Sequence, residues 1–200
     1  MRKWYSIFLL CLAISCGRPE GLLPGDLLFQ VGEGGMTEAI EASTDGAFSH
    51  VGIWSGEGVW EAVPKSGVRY VSLRKFLGES ARDASGKPFV RVYRLAGGVS
   101  WPAILSRLQK LEGRPYDYAF LPGTEALYCS ELVYECYRDS LDQPVFDAIP
   151  MTFKGPDGKT VPYWISHYEA LGVAIPEGAP GTNPNDLSRS PLLIPVPVQW

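Results

Sequence analysis

Ser49-His50-Val51-Gly52-Ile53-Trp54-Ser55-Gly56-Glu57-Gly58-Val59-Trp60-Glu61-Ala62-Val63 is the stretch from which the fold can be read. Ser49–Trp54 and Val59–Val63 are short β-rich runs around a Gly-containing turn, the signature of a β-hairpin. Strand side chains alternate faces with period 2. A hairpin loop with an even number of residues pairs positions whose numbers sum to an odd value, as those of His50 and Glu61 do. The common two-residue and four-residue loops are both even. His50 and Glu61 are therefore expected on one face, directly opposite or diagonal, within reach of each other. An odd loop or a bulge would separate them.

Working outward, Asp26–Val31 reads as a buried strand and Met36–Ser43 as a short helix closed by Thr44-Asp45-Gly46. Val68–Ser72 and Phe89–Leu95 read as further strands, with Leu73–Ala81 helical between them and Arg82–Pro88 a loop. Ser100 is placed to cap a helix with Pro102 in its first turn and Ile104, Leu105, Leu108 and Leu111 at helical spacing. Gly113–Thr124 is a Gly/Pro/aromatic loop. Cys129–Arg138 is a second clear helix, and a shorter one covers Trp164–Leu171. Gly172–Trp200 is rich in proline, has little periodicity, and reads as an extended tail wrapping the domain. Strands cluster early and helices interleave with them. The expected class is α+β, a mostly antiparallel sheet with packed helices.

The 200 residues suit one domain, and 46% hydrophobic residues can build a real core. A net charge of −4 with scattered Lys and Arg argues against nucleic acid as partner. Two histidines leave no room for a multi-histidine metal site, and the four cysteines show no zinc-type spacing. Met1-Arg2-Lys3 followed by the apolar run Ser6–Ile14 reads as a secretory signal, too short for a spanning helix of about 20 residues. Ala13-Ile14-Ser15-Cys16-Gly17 resembles a bacterial lipobox. Residues 1–15 are then a lipoprotein signal, Cys16 the lipidated first residue and 16–24 a tether to a domain at 25–200. The alternative is an ordinary signal peptide cut nearby. Losing Arg2 and Lys3 takes the net charge from −4 to −6. A lipid rather than a basic surface would then hold the protein at the bacterial cell envelope.

Cys129 and Cys136 remain as candidate nucleophiles, with His50 and His167 to serve them. Cys129 stands at a helix start, where backbone N–H groups favour a thiolate. Cys136 lies two turns on and reads as core. Seven helical residues rise about 10 Å, beyond the roughly 7 Å limit for a disulfide. A thiol nucleophile needs a base, and the base an orienting group. Glu61 can accept from one ring nitrogen of His50 and leave the other for a thiol. Each has a plainer alternative: Cys129 as packing, and His50–Glu61 as an ordinary salt bridge. His167 has only Glu169 nearby and reads as structural.

Gly25-Asp26-Leu27-Leu28-Phe29, Ser49-His50-Val51-Gly52-Ile53, Glu61-Ala62 and Tyr128-Cys129-Ser130-Glu131-Leu132-Val133 together resemble the circularly permuted NlpC-type papain-like hydrolases. The YiiX/YaeF-like branch is the nearest, and Gly113-Arg114-Pro115-Tyr116-Asp117-Tyr118 and Gly181-Thr182-Asn183-Pro184 also fit it. The order His, Glu, Cys reverses the usual papain order. The resemblance implies a papain-like α+β fold with Cys129 as nucleophile, His50 as base and Glu61 as its orienter. Tyr128, Tyr116 and Ser130 are candidates for substrate binding or oxyanion support, with no choice between the tyrosines. No metal or cofactor is called for. The function this implies is an envelope-anchored hydrolase cutting an amide bond in cell-wall peptides or amino-acid amides. The alternatives are a lipid amidase or thiol acyltransferase, and a non-catalytic envelope binding lipoprotein.

Overall fold

The computed structural model describes residues 20–200; the expected signal, Cys16 and the start of the tether lie outside the described residues. The centre is a six-stranded sheet built from β1 (Leu27–Gln30), β2 (His50–Trp54), β3 (Gly58–Val63), β4 (Gly67–Ser72), β5 (Val90–Leu95) and β8 (Leu193–Val196). The strands lie in the order β4-β3-β2-β1-β5-β8, every neighbour antiparallel. The expected α+β class with a mostly antiparallel sheet is what forms. Among the described residues six helices surround it: α1 (Gly35–Thr44), α2 (Leu73–Gly78), α3 (Trp101–Leu111), α4 (Cys129–Cys136), α5 (Pro162–Leu171) and α6 (Pro184–Ser188). A small second sheet pairs β6 (Ile149–Pro150) with β7 (Pro180–Gly181). Among the described residues no helix is long and apolar enough to cross a membrane.

The alternation of β1, β2 and β3 divides the core into two clusters. Leu27, Phe29, Val51, Ile53, Trp60 and Ala62 pack with Ile104 and Leu108 of α3 and Leu132, Val133 and Cys136 of α4. Leu28, Trp54, Val59, Val71 and Val92 pack instead with Phe76 of α2. At roughly 1.5–3 kcal/mol for each fully buried large apolar side chain, these two clusters hold the sheet between its helices. α4 is thereby fixed against β2 and β3, the strands that carry His50 and Glu61.

Two turns set the register that matters. Ser55 N–H donates to the Gly58 carbonyl at 2.8 Å, so the β2–β3 loop is the two residues Gly56-Glu57. Gly56 has φ 98°, and Ser55 Oγ accepts from Gly58 N–H at 3.0 Å. The β3–β4 turn is Pro64-Lys65-Ser66, with Val63 opposite Gly67. A Cβ on Gly67 would stand 2.0 Å from the Arg114 carbonyl oxygen, so only glycine lets the Gly113–Arg114 loop close on β4.

The tail departs from the extended reading. Its prolines hide a capped helix and an edge strand. Pro184 begins α6, where Asn183 Oδ1 accepts from Asp186 N–H at 2.9 Å. Pro195 sits in β8, at the end of the sheet order, where a proline is tolerated. Helix ends shift by a few residues elsewhere, as at α4, which stops at Cys136.

Candidate active site

His50 and Glu61 meet as the loop parity requires. The register Ile53↔Trp60 and Trp54↔Val59, continued along both strands, makes them diagonal neighbours on one face. His50 Nε2 donates to Glu61 Oε2 at 2.7 Å. Glu61 is 1% exposed, and its other oxygen accepts from Arg69 Nε at 2.9 Å. Arg69 lies directly opposite Glu61 in the β3–β4 register and reaches on to Glu79 at 2.8 Å. Burial opposes ionisation of Glu61, but the His50 hydrogen bond and charge, with Arg69, hold its pKa below the usual value.

The other side of His50 faces Cys129. With Nε2 taken by Glu61, Nδ1 is the ring nitrogen left for the thiol. Burial would lower the His50 pKa. The hydrogen bonds to Cys129 and Glu61 and the charges of both outweigh it, raising the pKa from 6.5 to about 10. His50 therefore stands as an imidazolium between two anion-forming groups across the neutral range. His167, by contrast, bonds the Tyr118 carbonyl oxygen at 2.7 Å and stacks on Tyr163.

Cys129 is the first residue of α4, and Tyr128 is its cap. The first-turn N–H groups have no acceptor within the helix. Glu131 closes part of this end: Oε1 accepts from Gly123 N–H at 3.1 Å and the carboxyl faces the Tyr128 N–H. Burial raises the Glu131 pKa to about 8. Ser130 donates its hydroxyl to the Thr182 carbonyl oxygen at 3.1 Å. Cys136 is fully buried in the core, and burial pushes its thiol pKa up.

Cys129, Tyr116 and Tyr128 line one narrow cavity of about 50 Å³. Phe120, Met151 and Trp164 form part of its apolar wall. Burial, with the charge of nearby Cys129 adding to it, holds the Tyr116 phenol well above its ordinary pKa. Phe120 has φ 54°, an uncommon conformation for a phenylalanine. Asp117 fixes that loop by accepting from Ala119 N–H at 2.8 Å and Leu121 N–H at 2.7 Å. Thr182 arrives from the tail, its N–H bonded to the Tyr128 hydroxyl at 3.1 Å. Sequence reasoning assigned no role to Arg69, Phe120 or Thr182. The same parity argument applied across Pro64-Lys65-Ser66 would have paired Arg69 with Glu61. Thr182 was marked only as part of Gly181-Thr182-Asn183-Pro184, a stretch quoted for the resemblance without a role for the residue.

Comparison with known proteins gives this arrangement a context. Residues 22–196 match the model of a family described as permuted papain-like amidase enzymes, YaeF/YiiX, C92. The uncharacterized protein YiiX of Escherichia coli K12 is 28% identical over 187 residues, covering 88% of this chain and 86% of that protein. The crystal structure of yiiX from Escherichia coli O157:H7 superposes with TM-score 0.72 at 25% identity, covering 88% of this chain and 97% of that one. That structure is described as a metalloprotein. Among the described residues here, no three His, Cys, Asp or Glu side chains cluster as metal ligands, so the donor set does not fit a bound metal. A family match over most of the chain, on a sheet and helices of the same fold, makes this protein a member of the permuted papain-like amidases of the YaeF/YiiX type, a family of cysteine peptidase and amidase enzymes.

Proposed function

We propose that this chain hydrolyses an amide bond in cell-wall peptides or related amino-acid amides, with Cys129 as nucleophile, His50 as base and Glu61 as the residue that orients His50. One observation carries the reading: the His50 ring is held between the Cys129 thiol and the buried Glu61 carboxylate. The thiol proton already resides on His50 as the imidazolium, and the Cys129 thiolate paired with it attacks the carbonyl carbon. First-turn N–H groups of α4 steady the oxyanion, Ser130 serving through its backbone because its hydroxyl is bonded to Thr182. His50 then gives its proton to the leaving amine, and the C–N bond breaks. Water, deprotonated by His50, cleaves the thioester, releasing the acid and restoring the thiol. Tyr116 and Tyr128, kept protonated by burial, serve as substrate-contacting walls of the cavity.

The address belongs to the same proposal. Cys16 carries the lipid, and the protein works at the cell envelope with a peptide or amino-acid amide as its partner. Cys129→Ala protein, incubated with a panel of muropeptides and N-acyl amino acids and read by mass spectrometry, is expected to lose at least ~10³-fold in turnover. Full turnover by that variant would overturn the assignment. Cys16→Ala is expected to leave the membrane fraction in cell fractionation, and unchanged membrane retention would overturn the lipid anchor.

A further inference from the structure

We infer that Glu131 is a positioning residue that works as a neutral acid, its proton reserving the N-terminal field of α4 for the Cys129 thiolate and the oxyanion. The inference rests on the reading of Cys129 as nucleophile and goes beyond it, to what sets the reactivity of that thiol. Three observations carry it. The first is position. Tyr128 caps α4, so Cys129, Ser130 and Glu131 are its first three residues. A helix start carries roughly half a positive charge, and its influence fades within the first turn. Cys129 and Glu131 therefore draw on the same field. A glutamate in the third position commonly reaches back to the N–H of the cap, and Glu131 faces the Tyr128 N–H in that way. On an exposed helix such a glutamate is ionised and favourable. Ionised here, it would use the field itself and set a second negative charge against the thiolate.

The second is burial. Glu131 is 4% exposed. Its Oε1 accepts from Gly123 N–H at 3.1 Å, whereas Oε2 is buried with no hydrogen-bond partner among the described residues. A buried oxygen without a partner costs more on an ion than on a neutral group, and Oε2 is the oxygen left to hold the proton. Burial outweighs the N–H groups of Gly123 and Tyr128, which favour the carboxylate, and the pKa rises from 4.5 to about 8.

The third is charge nearby. Asp117, on the loop before α4, and Glu135, one turn further along the helix, both oppose ionisation of Glu131. Tyr128, the other titratable group facing it, is kept protonated by its own burial. Asp117 accepts from Ala119 and Leu121 N–H, so of the two carboxyl groups at this end of the site Glu131 is the one without donors for both oxygens. Above its pKa the Oε2 proton passes to solvent base. One negative charge then appears in the first turn, and the thiolate and the oxyanion both lose stabilisation.

p-Nitrophenyl acetate tests this, because it acylates a reactive thiolate whatever the natural substrate: the thiolate attacks the ester carbonyl and p-nitrophenolate leaves. With Cys129→Ala as the blank, the wild-type acylation rate is expected to step down about tenfold around pH 8, ahead of the final fall near pH 10 set by His50. Glu131→Gln copies the neutral acid at every pH. The ratio of its rates at pH 9 and pH 7 is expected to exceed the wild-type ratio about fivefold. A wild-type profile level across pH 8 overturns the inference. So does a Glu131→Gln protein with the wild-type ratio, the mark of a merely structural role. If that variant does not fold, carbon-13 NMR of the wild-type carboxyl carbons decides: one glutamate titrating near pH 8 is expected, and none above pH 7 overturns the inference. Acylation of Cys129 without turnover of the muropeptide and N-acyl amino acid panel overturns the hydrolase reading alone. A Cys129 that is not acylated overturns both.

Discussion

His50 is charged because two partners outweigh its burial. Cys129 and Glu61 raise its pKa from 6.5 to about 10, against the desolvation that would lower it. A thiolate–imidazolium pair loses its acid when His50 gives up its proton. The alkaline limb of kcat/KM is therefore expected near pH 10 rather than near 6.5. Glu61→Gln removes the charge on one side while keeping an acceptor, so the limb is expected to move down and kcat to fall by about 10²–10⁴. A limb that stays in place in the variant would deny Glu61 its role. Stability follows the same linkage. The folded pKa lies above the unfolded one, so the contribution is complete below pH 6.5 and is lost as pH rises through about 10. Arg69 acts through Glu61. Arg69→Gln is expected to lower kcat about 10-fold or more with KM little changed and the pH limb displaced. An unmoved pH profile would reduce Arg69 to a structural ion pair.

At the scale of elements, α4 and the β2–β3 hairpin make the site, and they differ in how much the chain discloses. The hairpin was legible because the loop Gly56-Glu57 is short and even, so numbers alone put His50 and Glu61 on one face. The start of α4 was legible because Leu132, Val133 and Cys136 repeat at helical spacing after a glycine-containing loop. α6 was not, since five residues beginning at Pro184 show no periodicity and are held by contacts more than a hundred residues away. Phe120 was hidden for a similar reason: its φ of 54° is imposed by Asp117, not by its own preference. α4 also carries a testable charge. Burial raises the Glu131 pKa to about 8 from 4.5, so the folded protein binds a proton there that the unfolded chain releases. That contribution is complete below pH 4.5 and is lost as pH rises through 8. Glu131→Gln is expected to flatten the fall in urea-unfolding free energy between pH 5 and 9 relative to wild type. Parallel pH profiles for the two proteins would contradict it.

Across the whole molecule, the site is assembled from three distant parts of the chain: the hairpin, the start of α4, and the tail. Besides β7 and Thr182, the tail is tied down by β8 and Asn185. β8 extends the sheet on β5, and Asn185 pairs with the backbone of Phe48 like a missing strand residue. Its Oδ1 accepts from Phe48 N–H at 2.9 Å and its Nδ2 donates to the Phe48 carbonyl at 2.9 Å. Asn185 is 2% exposed, so its loss strands two backbone groups just before β2. Asn185→Ala is expected to cost about 1–3 kcal/mol in urea unfolding for each group left unsatisfied. The same contact locates Thr182, three residues earlier, beside Tyr128. Asn185→Ala protein that is still folded is expected to keep the His50 pH limb, because the limb depends on Glu61 and Cys129. A displaced limb would mean that the tail supports the catalytic pair itself, and the division of labour between hairpin and tail would fail.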